Sequence, residues 1–366
     1  MLGAATGPLL RSRLAHAAFS SSSPDAAVAA AAASNRHAFE YCASLVRTHD
    51  YASFLCAAAL PPPARPAALA LHAFNVETAL VLGTVKEVPL ALMRLRWWRD
   101  ALRTALPPPS DDPSHSHPPP PGHPVPRALA ASFALSPVGL QIRVLLERLA
   151  LAREADAGLD GLPASMEALD SYARATGGSL LCALQLVVAP TVAHERGEPS
   201  RSGADSGAVG GVESGAVSDA ARRAASSGVA AASAAGVAMG LARLLAGARS
   251  HLRSGRVYLP ADVARREGVS AEALRRGRGG APAAACFAVV AAAAEEQLAL
   301  ARSFRAQLSG EQRAALLPAL PAGLFLDALR RVGYDAMHDS LAREGGVVAP
   351  LSLQARIGWA AFRGRY

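Results

Sequence analysis

Apolar residues recur at spacings of three and four along most of the chain beyond residue 36, which is the period of a helix with one buried face. In residues 92–102, three leucines and Trp98 form one such stripe, with arginines opposite. Residues 228–252 are small and apolar almost all round, which predicts a central buried helix. The pair Gly177-Gly178 predicts close packing or a kink. Because no run alternates as a strand does, the pattern predicts an all-α protein.

Two segments interrupt the helical pattern. Residues 107–126 are rich in proline, and residues 198–219 are rich in glycine and serine. Both compositions are typical of mobile surface loops. They divide the sequence without dividing the core, because the helices on either side need one another for burial. We therefore expect one domain over residues 34–366.

The first 33 residues differ from the rest. They carry Arg11 and Arg13, a run of serines and no acidic residue before Asp25. This composition is typical of a mitochondrial or plastid transit peptide. We predict that residues 1–33 are a transit peptide or disordered, and a disordered alanine-rich tail is the alternative.

The overall charge says little about partners. The formal charge is +8, but Lys86 is the only lysine and the arginines are scattered among many alanines. This pattern is expected from a bias in nucleotide composition. Aromatic and basic residues are not interleaved, so we predict no nucleic-acid partner. The longest uncharged stretch, 224–242, consists mainly of Ala, Gly and Ser, and we predict no transmembrane span there. The four cysteines are far apart, which argues against a structural zinc site.

One segment carries a specific motif. Arg-Val-Tyr-Leu-Pro, residues 256–260, follows a Ser-Gly turn at the end of the small-residue helix. A second anchor lies upstream, in a Leu-Pro, an arginine and a helix over residues 54–79. Together these anchors resemble the squalene/phytoene synthase family. The resemblance implies an isoprenoid-synthase-like helical bundle with a central cavity, in which aspartates on two facing helices hold magnesium against a prenyl diphosphate.

The metal-binding aspartates of that family are not matched here. Those of the first motif fall on Asn75 and Ala79, and those of the second on Gly247 and His251. Glu77 is close in sequence, but two positions along a helix is about 200° around its axis. The resemblance therefore implies a pseudoenzyme that lacks both metal motifs, and we predict no catalytic residue, no metal and no cofactor.

Other residues could frame a vestigial pocket. We assign to it Glu77, Tyr172, Arg253, Arg256 and Tyr258. Two literal Asp-x-x-x-Asp matches lie elsewhere, at residues 156–160 and 335–339, and we interpret both as helix caps and surface charge.

Within the family, four segments resemble a mitochondrial subgroup that acts in the assembly of respiratory complex I. They are residues 41–55, 73–81, 92–102 and 349–366. The resemblance implies complex I subunits or assembly intermediates as partners, and peripheral association with the matrix face of the inner membrane. Two alternatives stay open: an active prenyl-diphosphate synthase of squalene or phytoene type, and a protein that binds an apolar lipid or isoprenoid in the cavity.

Overall fold

The computed structural model describes residues 24–108, 122–158, 162–188, 211–276, 279–341 and 350–366. These residues contain no β-strand, so the all-α prediction is confirmed for them. Their helices are, in chain order, α1 Pro24–His49, α2 Tyr51–Ala58, α3 Arg65–Thr84, α4 Val88–Ala105, α5 Pro124–Phe133, α6 Gly139–Ala157, α7 Met166–Ala173, α8 Ser179–Val188, α9 Gly211–Ala246, α10 Ala248–Arg253, α11 Ala261–Arg266, α12 Ala271–Arg275, α13 Gly280–Ser303, α14 Gly310–Ala315, α15 Ala319–Arg331 and α16 Pro350–Arg363.

The small-residue helix predicted to be central is α9. It packs against α8, α13 and α15, and against a short π-helical segment, Arg174–Gly178, that joins α7 to α8. A Cβ atom on Gly236 of α9 would overlap the carbonyl oxygen of Gly177, and one on Gly177 would overlap that of Gly236. The double glycine thus lets two backbones touch, and the π segment is the local change in helical geometry.

A second group of helices covers the other side of the core. Here α1 packs on α3 and α5, and α4 packs on α6. Asp50 begins α2 as its N-cap, accepting a hydrogen bond from the Ser53 amide at 3.1 Å. Since α3 also contacts α6 and α8, its inner face meets the α6–α9 side of the bundle. The space between these faces is the central cavity.

Several predicted boundaries shift. Residues 1–23, 109–121 and 189–210 lie outside the described residues, and they include most of the predicted transit peptide and loops. However, α1 begins at Pro24, since alanine is the best helix former, and it crosses the predicted boundary at residue 33. The last three residues of the 107–126 segment begin α5, where prolines fit the first turn. The last nine residues of the 198–219 segment belong to α9.

By length and composition, three helices could cross a membrane. They are Pro62–Thr84, Ala224–Ala246 and Gly280–Gln307. The second contains residues 224–242, for which we predicted no transmembrane span because they are rich in Ala, Gly and Ser. Its mean hydropathy is nevertheless high enough for a span. Of the first two helices, more than half is buried inside the bundle. Their apolar character is therefore used for packing in this fold.

Candidate functional site

The predicted metal-motif face of α3 borders the central cavity. Asn75, Ala79 and Gly83 follow one another at four-residue spacing and all line its wall. The cavity has a volume of about 350 Å³. Its remaining wall comes from Leu82, Arg153, Tyr172, Thr176, Gly177, Leu180, Met239, Gly240, Arg243, Leu244, Ser250, His251, Ser254, Arg256 and Tyr258.

On the facing side, the junction of α9 and α10 carries the second pair of motif positions. Gly247 has no side chain and lies beside the His251 ring, where an added Cβ would collide with it. The His251 ring also meets the Tyr258 ring edge-on, with centroids 4.7 Å apart. Burial lowers the pKa of His251 to about 4, so the imidazole is neutral at pH 7. Neither position supplies negative charge to the cavity.

The Arg-Val-Tyr-Leu-Pro turn is fastened to α6 through Asp156. The Tyr258 hydroxyl donates to Asp156 Oδ2 at 2.6 Å, and the Tyr172 hydroxyl donates to the same oxygen at 3.3 Å. Arg256 Nη1 donates to the Asp156 carbonyl oxygen at 3.0 Å and lies 3.4 Å from Oδ1. The turn is therefore held in place by one carboxylate with three surrounding donors.

For Asp156, the interpretation as surface charge was wrong. Asp156 is 3% exposed and lies in the last turn of α6. Burial raises the pKa of this carboxyl, while the hydrogen bonds from Tyr258 and Tyr172 and the charge of Arg256 act in the opposite direction. Asp160 lies outside the described residues.

Arg153 fills the space in front of Asn75. It lies on α6 and is 6% exposed, and its Nη2 donates to Asn75 Oδ1 at 2.7 Å. Burial lowers the pKa of this guanidinium, while Tyr172 and Asp156 nearby favour its charged form. The amide at the first motif position thus faces an arginine of the chain itself.

Arg243 separates this cavity from a second one. Its Nη2 lies 2.7 Å from Asp50 Oδ2 and 3.0 Å from Ser53 Oγ. Burial acts to raise the pKa of Asp50, but Arg243, His72 and the hydrogen bonds from Ser53 together outweigh it, and the pKa is lowered. The second cavity has a volume of about 540 Å³, and Arg243 and Met239 line both cavities. Apart from its polar end at residues 48–51 and Arg243, the second cavity has an apolar wall, formed by Ala52, Met239, Ala242, Ala246, Pro318, Pro321, Ala322, Leu324, Phe325, Leu341 and Leu353.

Not every predicted pocket residue reaches the cavity. Tyr172, Arg256 and Tyr258 line it, whereas Glu77 and Arg253 are not part of its wall. Glu77 points toward α1 and α5, where it accepts a 2.6 Å hydrogen bond from Tyr41. Its position agrees with the helical angle that places it off the motif face. Arg253 is exposed on α10.

The second Asp-x-x-x-Asp match behaves in part as predicted. Asp335 Oδ1 accepts a hydrogen bond from the Met337 amide at 2.9 Å. Asp339 pairs with Arg249 at 2.6 Å, and its side chain is 94% exposed. Asp335 therefore caps a turn instead of a helix, and Asp339 is surface charge as predicted.

The cavity wall is rich in arginine. Among the described residues it holds three guanidinium groups, from Arg153, Arg243 and Arg256, and no carboxylate. The described part of the chain also has no cluster of three or more His, Cys, Asp or Glu residues that could hold a metal. Since magnesium prefers several negatively charged oxygen ligands, these residues do not fit the metal clamp that the family resemblance implies.

The fold and its cavity define a class: a helical bundle around a chamber walled by arginines and tyrosines. The family model for squalene/phytoene synthase matches residues 46–351, so the chain belongs to that family. Among curated relatives, complex I assembly factor 6 of NADH dehydrogenase (ubiquinone) from Mus musculus is 29% identical over 314 residues, covering 86% of this chain and 80% of the mouse protein. The Drosophila melanogaster homolog is 28% identical over 334 residues, covering 91% and 86%.

Solved structures confirm the fold. A dehydrosqualene synthase in complex with ligand superposes with a TM-score of 0.64 at 17% identity, covering 91% of this chain and 99% of that one. Squalene synthase HpnC from Alicyclobacillus acidocaldarius superposes with a TM-score of 0.57 at 18% identity, covering 83% and 98%. At these identities the similarity establishes the isoprenoid-synthase-like helical fold alone.

Proposed function

We propose that this chain acts without catalysis in the assembly of respiratory complex I, in the mitochondrion and at the matrix face of its inner membrane. Support comes from similarity along most of the chain to proteins named as complex I assembly factors, in mammals and in an insect. Its partners are then complex I subunits or assembly intermediates. The predicted transit peptide over residues 1–33 supports the same compartment.

The wall of the central cavity is the observation that carries the non-catalytic part. Ionising a prenyl diphosphate requires divalent cations that absorb the developing charge, which is worth several kcal/mol. Here the motif positions Asn75, Ala79, Gly247 and His251 offer no carboxylate, and Arg153 faces the first of them. A divalent cation placed in this cavity would meet guanidinium groups in place of ligands. The pocket can attract an anion but lacks the groups that activate one.

The assembly role is tested by disrupting the gene in its own organism. We expect complex I to fall relative to the other respiratory complexes on native gels, with loss of NADH oxidation through ubiquinone. Re-expression of the wild-type chain should restore both. Normal complex I abundance and activity in the disrupted strain would remove the assembly role.

Catalysis is tested separately with the purified full-length protein. We expect no release of pyrophosphate from farnesyl or geranylgeranyl diphosphate with magnesium or manganese, above the rate without protein. Metal-dependent pyrophosphate release with formation of a squalene- or phytoene-type product would contradict the non-catalytic proposal and favour an active synthase.

The two cavities favour a second candidate role, the binding of an apolar lipid or isoprenoid. The second cavity of about 540 Å³ has a mainly apolar wall and adjoins the cationic one at Arg243. Native mass spectrometry of protein taken from its own organelle should then show a bound lipid. Arg256→Met, on the cavity wall, should reduce its occupancy, whereas Arg253→Met, on the surface, should not. A reproducibly empty protein would contradict this role.

A further inference from the structure

The last helix, α16, is apolar on two opposite faces. Its inner face buries Leu353, Ile357 and Ala360. On its outer face, Leu351 is 79% exposed and Phe362 is 81% exposed, and Trp359 beside them is 59% exposed. At 100° per residue these three side chains lie within about 80° of one another, around the side that faces away from the core. We call them the C-terminal patch.

The patch is not needed to hold α16 in place. The inner face packs against Cys56 and Leu317. Beyond the helix, the buried Tyr366 donates its hydroxyl hydrogen to the Ala301 carbonyl oxygen at 2.8 Å, and Arg305 Nε donates to the Gly364 carbonyl oxygen at 3.0 Å. The helix is therefore fixed by its inner face and by the C-terminal residues, and the patch is presented to the outside. Contiguous apolar side chains in such a position mark an interaction surface.

The surroundings of the patch are basic. After Glu344 the sequence has no acidic side chain, and it carries Arg356, Arg363 and Arg365. The Arg363 guanidinium lies 4.7 Å from the centre of the Trp359 ring. On the neighbouring elements, Arg305 Nη2 donates to the Arg363 carbonyl oxygen at 3.3 Å, and Arg302 Nε donates to the main-chain oxygen of Tyr366 at 3.0 Å. The patch is thus a small apolar surface with a positively charged rim.

We propose that the C-terminal patch inserts into the interface of an anionic lipid bilayer, so that α16 attaches the protein to the membrane surface. Exposed tryptophan and phenylalanine favour the headgroup region, and flanking arginines add attraction to anionic lipids. This inference rests on the proposed membrane association and names the element responsible for it.

An exposed apolar stripe on α6 fits a bilayer less well. Leu140, Val144 and Leu151 form an exposed stripe on α6. The carboxylates of Glu147 and Glu154 stand along the same side of that helix, paired with arginines of α4. These carboxylates offset the charge of their partner arginines and so weaken any attraction to anionic lipid, whereas the sequence of the C-terminal patch has no acidic side chain after Glu344.

The test is flotation of the full-length protein with vesicles of phosphatidylcholine alone or with about a third of anionic phospholipid. We expect binding to the anionic vesicles, and about tenfold or more weaker binding to the neutral ones. Trp359→Ser with Phe362→Ser should lower the partition coefficient by about tenfold or more. The matched control is Met93→Ser with Leu135→Ser, which removes exposed apolar side chains elsewhere and should bind as the wild type does.

A second readout locates the contact. Lipids brominated near the headgroup should quench the tryptophan fluorescence of the wild type. The variant Trp359→Phe should lose most of this quenching, because Trp98 is buried and Trp97 lies outside the C-terminal patch, on α4. Since all patch residues are exposed, the variants should unfold at the wild-type temperature. All variants contain the full chain, so any membrane binding by its N-terminal residues is the same in the wild type and in each variant.

Three results would overturn the proposal: a wild type that does not float, a patch variant that floats equally well, or a concentration-dependent dimer that the patch variant abolishes. The last would mean that a second copy covers the patch. None of these results depends on complex I, so the proposed role in assembly is tested by the disrupted strain alone.

Discussion

Arg243→Met tests whether the ion pair between α9 and the start of α2 holds the two halves of the bundle together. Methionine keeps much of the length and the apolar stem of arginine but removes the charge. Asp50 then stays in a largely buried position, 15% exposed, with the Ser53 amide as a remaining hydrogen-bond donor. We expect the variant to be less stable at pH 7 because an ionised carboxylate loses its counter-charge.

The expected loss lies between two limits. Removing one partner of a fully buried pair costs about 3–5 kcal/mol, whereas an exposed pair contributes about 0.2–1 kcal/mol. The side chain of Asp50 is 15% exposed and that of Arg243 is 39% exposed, so solvent screens part of the interaction. We therefore expect a loss of about 2 kcal/mol in the free energy of unfolding.

The assay is urea unfolding of the wild type, Arg243→Met, Asp50→Asn and the double variant. Asparagine is an equally good N-cap, so Asp50→Asn removes the charge while α2 keeps its first hydrogen bond. The coupling energy of this cycle should be about 2 kcal/mol. Arg276→Met with Glu272→Gln, a surface pair at 2.7 Å, is the matched control and should give about 0.5 kcal/mol or less.

The pH dependence gives the sign of the effect. In the wild type the lowered pKa of Asp50 contributes stability above its unfolded pKa of about 3.9, and this stability is lost as the pH falls through the folded value. In Arg243→Met the largest cause that lowers the pKa of Asp50 is gone, while burial and the hydrogen bonds from Ser53 remain, so this pKa is higher than in the wild type. The stability lost through the substitution should therefore become smaller as the pH falls from 7 toward 4. The reasoning would be refuted if Arg243→Met lost the same free energy of unfolding at all pH values, or if the coupling energy were near zero.

Three further substitutions probe other contacts by the same unfolding measurement. Gly236→Ala should cost about 3 kcal/mol, because its Cβ would overlap the Gly177 carbonyl oxygen where two backbones meet, and a wild-type midpoint would disprove that approach. Tyr258→Phe should cost about 2 kcal/mol by removing the 2.6 Å hydrogen bond to Asp156, and an unchanged stability would show that this bond contributes nothing. His72→Gln should remove a loss of about 3 kcal/mol that the wild type shows as the pH falls from about 6.5 to about 4, because burial lowers the pKa of His72 to about 4 and only the unfolded chain binds the proton; parallel pH profiles would refute it.

The local sequence is enough to predict most of the helices and the positions at which the metal motifs of the family would fall. Period and composition located the buried α9 helix and the stripe of α4, in which Trp98 is 5% exposed. The motif positions Asn75 and Ala79 were identified by counting from the quoted anchors, and both line the cavity. Helical geometry also explains why Glu77, though retained as a pocket residue, faces α1 and α5 instead.

The contacts around the motif positions could not be predicted, because they join residues far apart in sequence. Asp156 is followed by glycines that are typical of a loop, and Tyr258, its hydrogen-bond partner, lies 102 positions later. Arg243 and Asp50 are 193 positions apart. The one local signal was that Arg243 lies a single helical turn before Gly247, on the face already assigned to the metal motif.

The arginines of the central cavity make its positive charge a covalent property of the chain. A site whose positive charge comes from bound magnesium loses that charge when a chelator removes the metal, and it responds to the free metal concentration. The guanidinium groups of Arg243 and Arg256 belong to the chain and cannot be removed by either route. The positive charge that these side chains give the chamber is therefore independent of the free concentration of divalent ions.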